Sequence, residues 1–126
     1  MKHNLDLIKN NSSEEELEKY IHLFESIDWI YISAYQKLSE EFIENHSDDV
    51  RWELISKYQI LSENFIEKYS DKLMWDNVSL CQNLSEFFIK KHINKIDIDC
   101  LMINKKISKR LKNKIEKEIN LLKEII

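Results

Sequence analysis

The chain has 126 residues, with 19 basic and 23 acidic side chains, a net charge of −4, and neither glycine nor proline. Average usage would place about nine Gly and about six Pro in this length, so their absence excludes Gly-rich phosphate loops, Gly-dependent hairpins and Pro-rich linkers. Turns fall to Ser, Asn and Asp, which suits tight helix–helix corners and predicts an all-α chain forming one domain over residues 1–126.

From the N-terminus, Met1–Asn11 contains no apolar run of the kind a secretory signal needs, and no later stretch approaches the ~20 apolar residues of a membrane span. Two cysteines, Cys81 and Cys100, do not make a disulfide framework. The expectation is a cytoplasmic protein of a bacterium or an infected host cell. Abundant Lys, Asn and Ile point to AT-rich coding and say nothing of function. Ser13 and Glu16 stand at capping-box spacing, and a helix over about residues 14–26 carries Leu17, Tyr20, Ile21 and Phe24 on one face. Residues 1–28 therefore read as an N-terminal cap.

A tandem repeat follows, marked by Trp29, Trp52 and Trp75. Residues 29–51 and 52–74 agree at 13 of 23 positions, and residues 75–97 continue the register with lower agreement. Each unit reads as two short helices. The first starts at the Trp, with Ile32, Ile55 or Val78 one turn later. Ser39, Ser62 and Ser85 are predicted N-caps of the second, which carries Phe42–Ile43, Phe65–Ile66 or Phe88–Ile89. Asp48 and Asp71 are expected to cap the next unit's first helix. Helices of about 8–10 residues are marginal alone, so stacking must supply the stability.

Residues 98–126 form a degenerate fourth unit. From Ser108 the chain reads as one longer helix with Leu111, Ile115, Ile119, Leu122 and Ile126 along one side, a C-terminal cap closing the stack. The expected fold is a short α-solenoid of antiparallel helix pairs with N- and C-terminal capping helices.

The segment Trp52–Lys72, WELISKYQILSENFIEKYSDK, resembles a W-x-x-I-S-x-Y-Q-x-L-S-E-x-F-I-E repeat of phage, giant-virus and AT-rich bacterial proteins. The resemblance covers about residues 29–97; the third unit departs from it at Cys81 and Lys90. It implies a helical-repeat scaffold and brings no catalytic residues, metal or cofactor with it.

Residue chemistry agrees with a non-enzymatic reading. Ser33, Ser56 and Ser79 recur with Gln36, Gln59 and Gln82, as packing serines and turn-bonding glutamines recur, without a base or oxyanion hole marked beside them. His46 and His92 share a repeat position with Tyr69, which suits an amphipathic ring with a polar tip. Ligand spacings such as H-x-x-x-H are absent, so metal binding is not expected. His3 and His22 lack a local partner pattern. Cys81 and Cys100 read as inert thiols, and the tryptophans as inter-repeat packing.

Three surfaces are candidates for a partner. The repeated acids Glu40, Glu41, Glu44, Glu63 and Glu67 could line an acidic face. Tyr31, Tyr35 and Tyr58 are amphipathic residues that can stay wet while their rings pack. Lys105, Lys106, Lys109 and Arg110 lead a basic cluster: residues 1–104 carry a net −9 and residues 105–126 a net +5. The leading expectation is a protein-binding module, more specifically an anti-CRISPR-like phage inhibitor whose acidic face occupies a basic nucleic-acid channel. The alternatives are a nucleic-acid-binding protein using the basic helix, and self-association of the acidic and basic surfaces.

Overall fold

The computed structural model describes residues 12–125, and every regular element among them is helical. α1 (Glu14–Tyr20) runs into a 3-10 turn, Ile21–Leu23. It is followed by α2 (Ser26–Tyr35), α3 (Glu40–Asn45), α4 (Trp52–Tyr58), α5 (Glu63–Lys68), α6 (Trp75–Cys81), α7 (Glu86–Lys91), α8 (Ile98–Met102) and α9 (Lys109–Ile125). The described chain divides into two compact units between Met74 and Trp75, a junction that coincides with a repeat boundary. Within each, helices stack in series in the manner of an α-solenoid: α2 packs on α4 in the first and α6 on α8 in the second.

The repeat positions define the core. Ile32, Ile55, Val78 and Leu101 are fully buried at one of them, and Ile43, Ile66 and Ile89 at another. Leu38, Leu61, Leu84 and Ile107 fill the corner between the two helices, while Val50, Leu73 and Ile96 close each unit from behind. Burying each such side chain stabilises the fold by roughly 1.5–3 kcal/mol. Trp29, Trp52 and Trp75 each pack against the Phe of their own unit, with centroids 6.4, 6.3 and 6.2 Å apart, tilted in the first and stacked in the other two. The ring of His46, Tyr69 or His92 completes each set, 5.6, 5.1 and 5.6 Å from the indole. Trp52 and Trp75 share one environment, half-buried at a helix start with Lys72 or Lys95 over the ring, as the register predicts; Trp29 departs from it, buried within α2 with Phe24 edge-on at 5.9 Å.

Helix ends differ from expectation in informative ways. Most helices are five to seven residues long, shorter than predicted. First helices stop where Gln36 and Gln59 turn extended; second helices stop at His46, Tyr69 and His92, all at negative φ. None of these turns needs a left-handed residue, so a chain without glycine can make them. The Ser39, Ser62 and Ser85 hydroxyls accept the Phe42, Phe65 and Phe88 amides at 3.1–3.2 Å, as expected of N-caps. Asp48 and Asp71 do not cap. The turn after His46 keeps helix-like backbone bonds through Val50, so Asp48 falls three residues short of the Arg51 cap position. Instead, the Ser33 hydroxyl accepts the amide of Arg51, the last residue of its own repeat; Ser56 does the same for Met74, and Ser79 for Asp97.

Both ends of the array also depart from expectation. α2 begins at Ser26, three residues ahead of Trp29, through a reciprocal Glu25–Asp28 capping box. That extension hides a further unit. Ser13 caps α1 as Ser39 caps α3, and Leu17 is buried as Ile43 is. α1 thus corresponds to the second helix of a repeat. At the other end Ser108 caps α9 as predicted, but of its five expected inward residues only Leu111, Ile115 and Ile119 turn in. Leu122 is exposed, and Ile126 lies outside the described residues, as does His3.

The glutamines join one repeat to the next. Gln59 Nε2 donates to the Ser33 and Gln36 carbonyls at 2.9 and 2.7 Å, and its Oε1 accepts the Leu38 amide at 3.0 Å. Asn104 bridges the Ser79 and Gln82 carbonyls in the same way, at 2.8 Å each. Gln59→Ala strands three buried backbone groups. At about 1–3 kcal/mol for each group left unsatisfied, it should destabilise the first unit by roughly 3 kcal/mol or more. A loss under about 1 kcal/mol in urea denaturation would mean that water replaces these bonds freely.

Candidate interaction surface

Of the predicted acidic residues, Glu40 and Glu44 serve the stacking of helices within the first unit. Glu40, first residue of α3, accepts both the Ser62 amide and hydroxyl, at 2.6 and 3.0 Å. Glu14 does the same for Ser39 from α1, at 2.6 and 2.7 Å. A carboxylate from one helix therefore holds the capping serine of the next second helix. One turn on, Glu44 pairs with the Lys68 ammonium and accepts the Tyr69 hydroxyl at 2.7 Å, while Glu18 engages the His46 ring. The polar tips of His46 and Tyr69 thus find a carboxylate on the preceding helix, which is the use expected of that ring position. Glu63 and Glu67 are half-buried at the equivalent positions of α5, and Glu41 is exposed.

The three predicted tyrosines come together. Tyr31 and Tyr35 lie one turn apart on α2 with ring centroids 5.6 Å apart, and Tyr58 of α4 sits 6.4 Å from Tyr35. The α2–α4 packing that aligns them is the one Gln59 and Ser33 secure. Tyr35 is 73% exposed, Tyr58 49% and Tyr31 39%. Lys57 holds its ammonium 5.3 Å from the Tyr58 ring centroid. Ile27 lies a turn before Tyr31 on α2 and Ile60 follows Tyr58, both exposed. Sequence reasoning missed these flanking residues, although the i, i+4 spacing of Ile27, Tyr31 and Tyr35 on a face away from Ile32 was a readable signal.

The four basic candidates are exposed around the start of α9. None of their side chains forms a hydrogen bond or ion pair with a described residue. Two other lysines of the same unit are paired: Lys114 with Glu86 at 2.8 Å, and Lys90 with Glu118 at 3.2 Å.

Other reactive groups are accounted for structurally. The Ser56 and Ser79 hydroxyls donate to the carbonyls of Trp52 and Trp75 at 2.6 Å while accepting the amide of the last residue of their repeat, Met74 or Asp97. Burial and the Asp97 carboxylate push the Cys100 thiol up, away from the thiolate that nucleophilic attack requires. Among the described residues no cluster of His, Cys, Asp or Glu could hold a metal ion, and no helix is long and apolar enough to cross a membrane. Compared with protein families, curated proteins and solved structures, the chain has no match.

The Lys68 and Tyr69 hydrogen bonds hold the Glu44 carboxyl below the usual carboxylate range. A depressed folded value adds stability above the unfolded pKa of ~4.3, and that stability is lost as pH falls through the folded value. The stability advantage of the natural protein over Glu44→Gln should therefore shrink between about pH 5 and pH 3. Parallel melting-temperature curves across that range would show that Glu44 adds nothing to helix stacking.

Proposed function

We propose that the protein is a non-catalytic helical-repeat module that binds another protein through the stripe of Tyr31, Tyr35 and Tyr58. One observation carries this reading: three half- to mostly exposed aromatic rings, in successive contact at 5.6 and 6.4 Å across two helices whose packing is secured by buried hydrogen bonds. Tyrosine supplies a large contact area at low conformational cost, and it is enriched among residues that dominate binding energy. A scaffold fixed before binding also limits the ordering cost of association. Glu40 and Glu44 already have partners within their own unit, so we put the contact on the aromatic stripe in preference to the acidic face.

Tyr35→Ser/Tyr58→Ser should leave the melting temperature nearly unchanged, because both rings are largely exposed. If the stripe is the contact, the double variant should bind the partner captured by the natural protein at least ~30-fold more weakly, the loss of one hot-spot residue worth about 2 kcal/mol. Equal affinity in calorimetry would move the contact elsewhere.

A further inference from the structure

We infer that the basic surface where α8 turns into α9 binds the phosphate backbone of a nucleic acid, independently of the tyrosine stripe. Lys105, Lys106, Lys109 and Arg110 fall within six residues, all exposed, and their side chains have no partner among the described residues. Elsewhere in the same unit, lysines that serve the fold reach carboxylates: Lys114 bonds Glu86, and Lys90 bonds Glu118. The four cations are therefore surplus to the pairing that holds α7 against α9.

Position within the repeat sharpens the point. Lys109 occupies the place filled by Glu14 in α1 and Glu40 in α3, where a carboxylate grips the following serine cap. Arg110 follows it, at the place of Glu41. The substitution goes past neutral to positive, on the first turn of a 17-residue helix whose dipole disfavours cations. Stability favours Glu, Asp or a neutral residue here, so Lys109 and Arg110 on this turn, with Lys105 and Lys106 just ahead of the Ser108 cap, answer to something outside the fold.

A polyanion with regularly spaced charges is the ligand chemistry that rewards such a cluster. Nucleic-acid phosphates gain from each cation through counterion release, and an arginine beside lysines adds a bidentate fork. No stacking ring is among the four, so the contact is to the backbone and indifferent to base sequence. The acidic remainder of the chain, net −9 over residues 1–104, repels the same ligand and keeps the interaction weak and strongly dependent on salt.

The test is fluorescence anisotropy with a labelled 20-nucleotide duplex, using the full chain. Four phosphate contacts give a log–log salt slope near −3.6, so affinity should fall about 10²-fold between 50 and 200 mM salt. Replacing Lys105, Lys106, Lys109 and Arg110 together by Gln should abolish binding at 50 mM while leaving the circular dichroism spectrum intact, since no fold contact is removed. Tyr35→Ser/Tyr58→Ser should bind the duplex as the natural protein does, which separates this site from the stripe. No binding at 20 mM salt, undiminished binding by the Gln variant, or competition by poly-glutamate as effective as by unlabelled duplex would each overturn the inference. The last would make the surface a receptor for acidic protein.

Discussion

A helix of six or seven residues has almost all of its backbone polar groups at one end or the other. Its first four amides and last four carbonyls lack partners within the helix, so α3 through α7 are nearly all terminus. Such helices persist only if neighbours complete them. Here the completion comes from side chains at fixed repeat positions. Gln59 closes the C-terminal end of α2, Ser33 takes the amide that precedes α4, and Glu40 grips the cap of α5. Each bond links residues 18 to 26 apart, close to one repeat length. These groups, Gln59 and Ser33 buried and Glu40 half-exposed, join helices and terminate them at once, which is why the same few polar residues recur at identical positions.

That division of labour separates surface that holds the fold from surface that remains for a partner. Carboxylates and aromatic rings each appear in both roles. Trp, Phe and His or Tyr pack inside every repeat, whereas Tyr31, Tyr35 and Tyr58 stand on the outside of α2 and α4. Glu40 and Glu44 tie α3 to α5, whereas Glu41 faces water. The basic residues divide likewise: Lys114 and Lys90 tie α9 to α7, and the four preceding cations do not. Contact with a described neighbour distinguishes these roles where residue type does not.

The units, the serine caps, the buried Phe–Ile pairs and the role of the His46/Tyr69 ring were legible in the sequence, because each depends on neighbours within one helix or on repetition at a fixed period. The carboxylate ladder was not. Glu40 and Glu41 look alike in sequence, and only the lateral placement of α5 shows that one reaches Ser62 and the other does not. α1 reads in sequence as a cap that matches the repeat poorly, because α2 carries three extra residues. They shift Ser13 to 26 residues before Ser39 and break the register that would have exposed the likeness. Asp48 was read as a cap from residue type alone, when the helical turn running to Val50 had already carried the chain past it. The stripe of tyrosines was legible as residues, but its continuity across two helices came only with their packing.

The claim that side chains of neighbouring helices complete these helices is tested most directly by native-state hydrogen exchange. The amides of Leu38, Arg51 and Met74 lie outside every helix and donate only to Gln59, Ser33 and Ser56. They should be protected as strongly as the helical amides of Ile43 and Ile66, and the Leu38 amide should lose that protection selectively in Gln59→Ala. Exchange of all three at rates typical of open turns, with the helices still protected, would contradict the account.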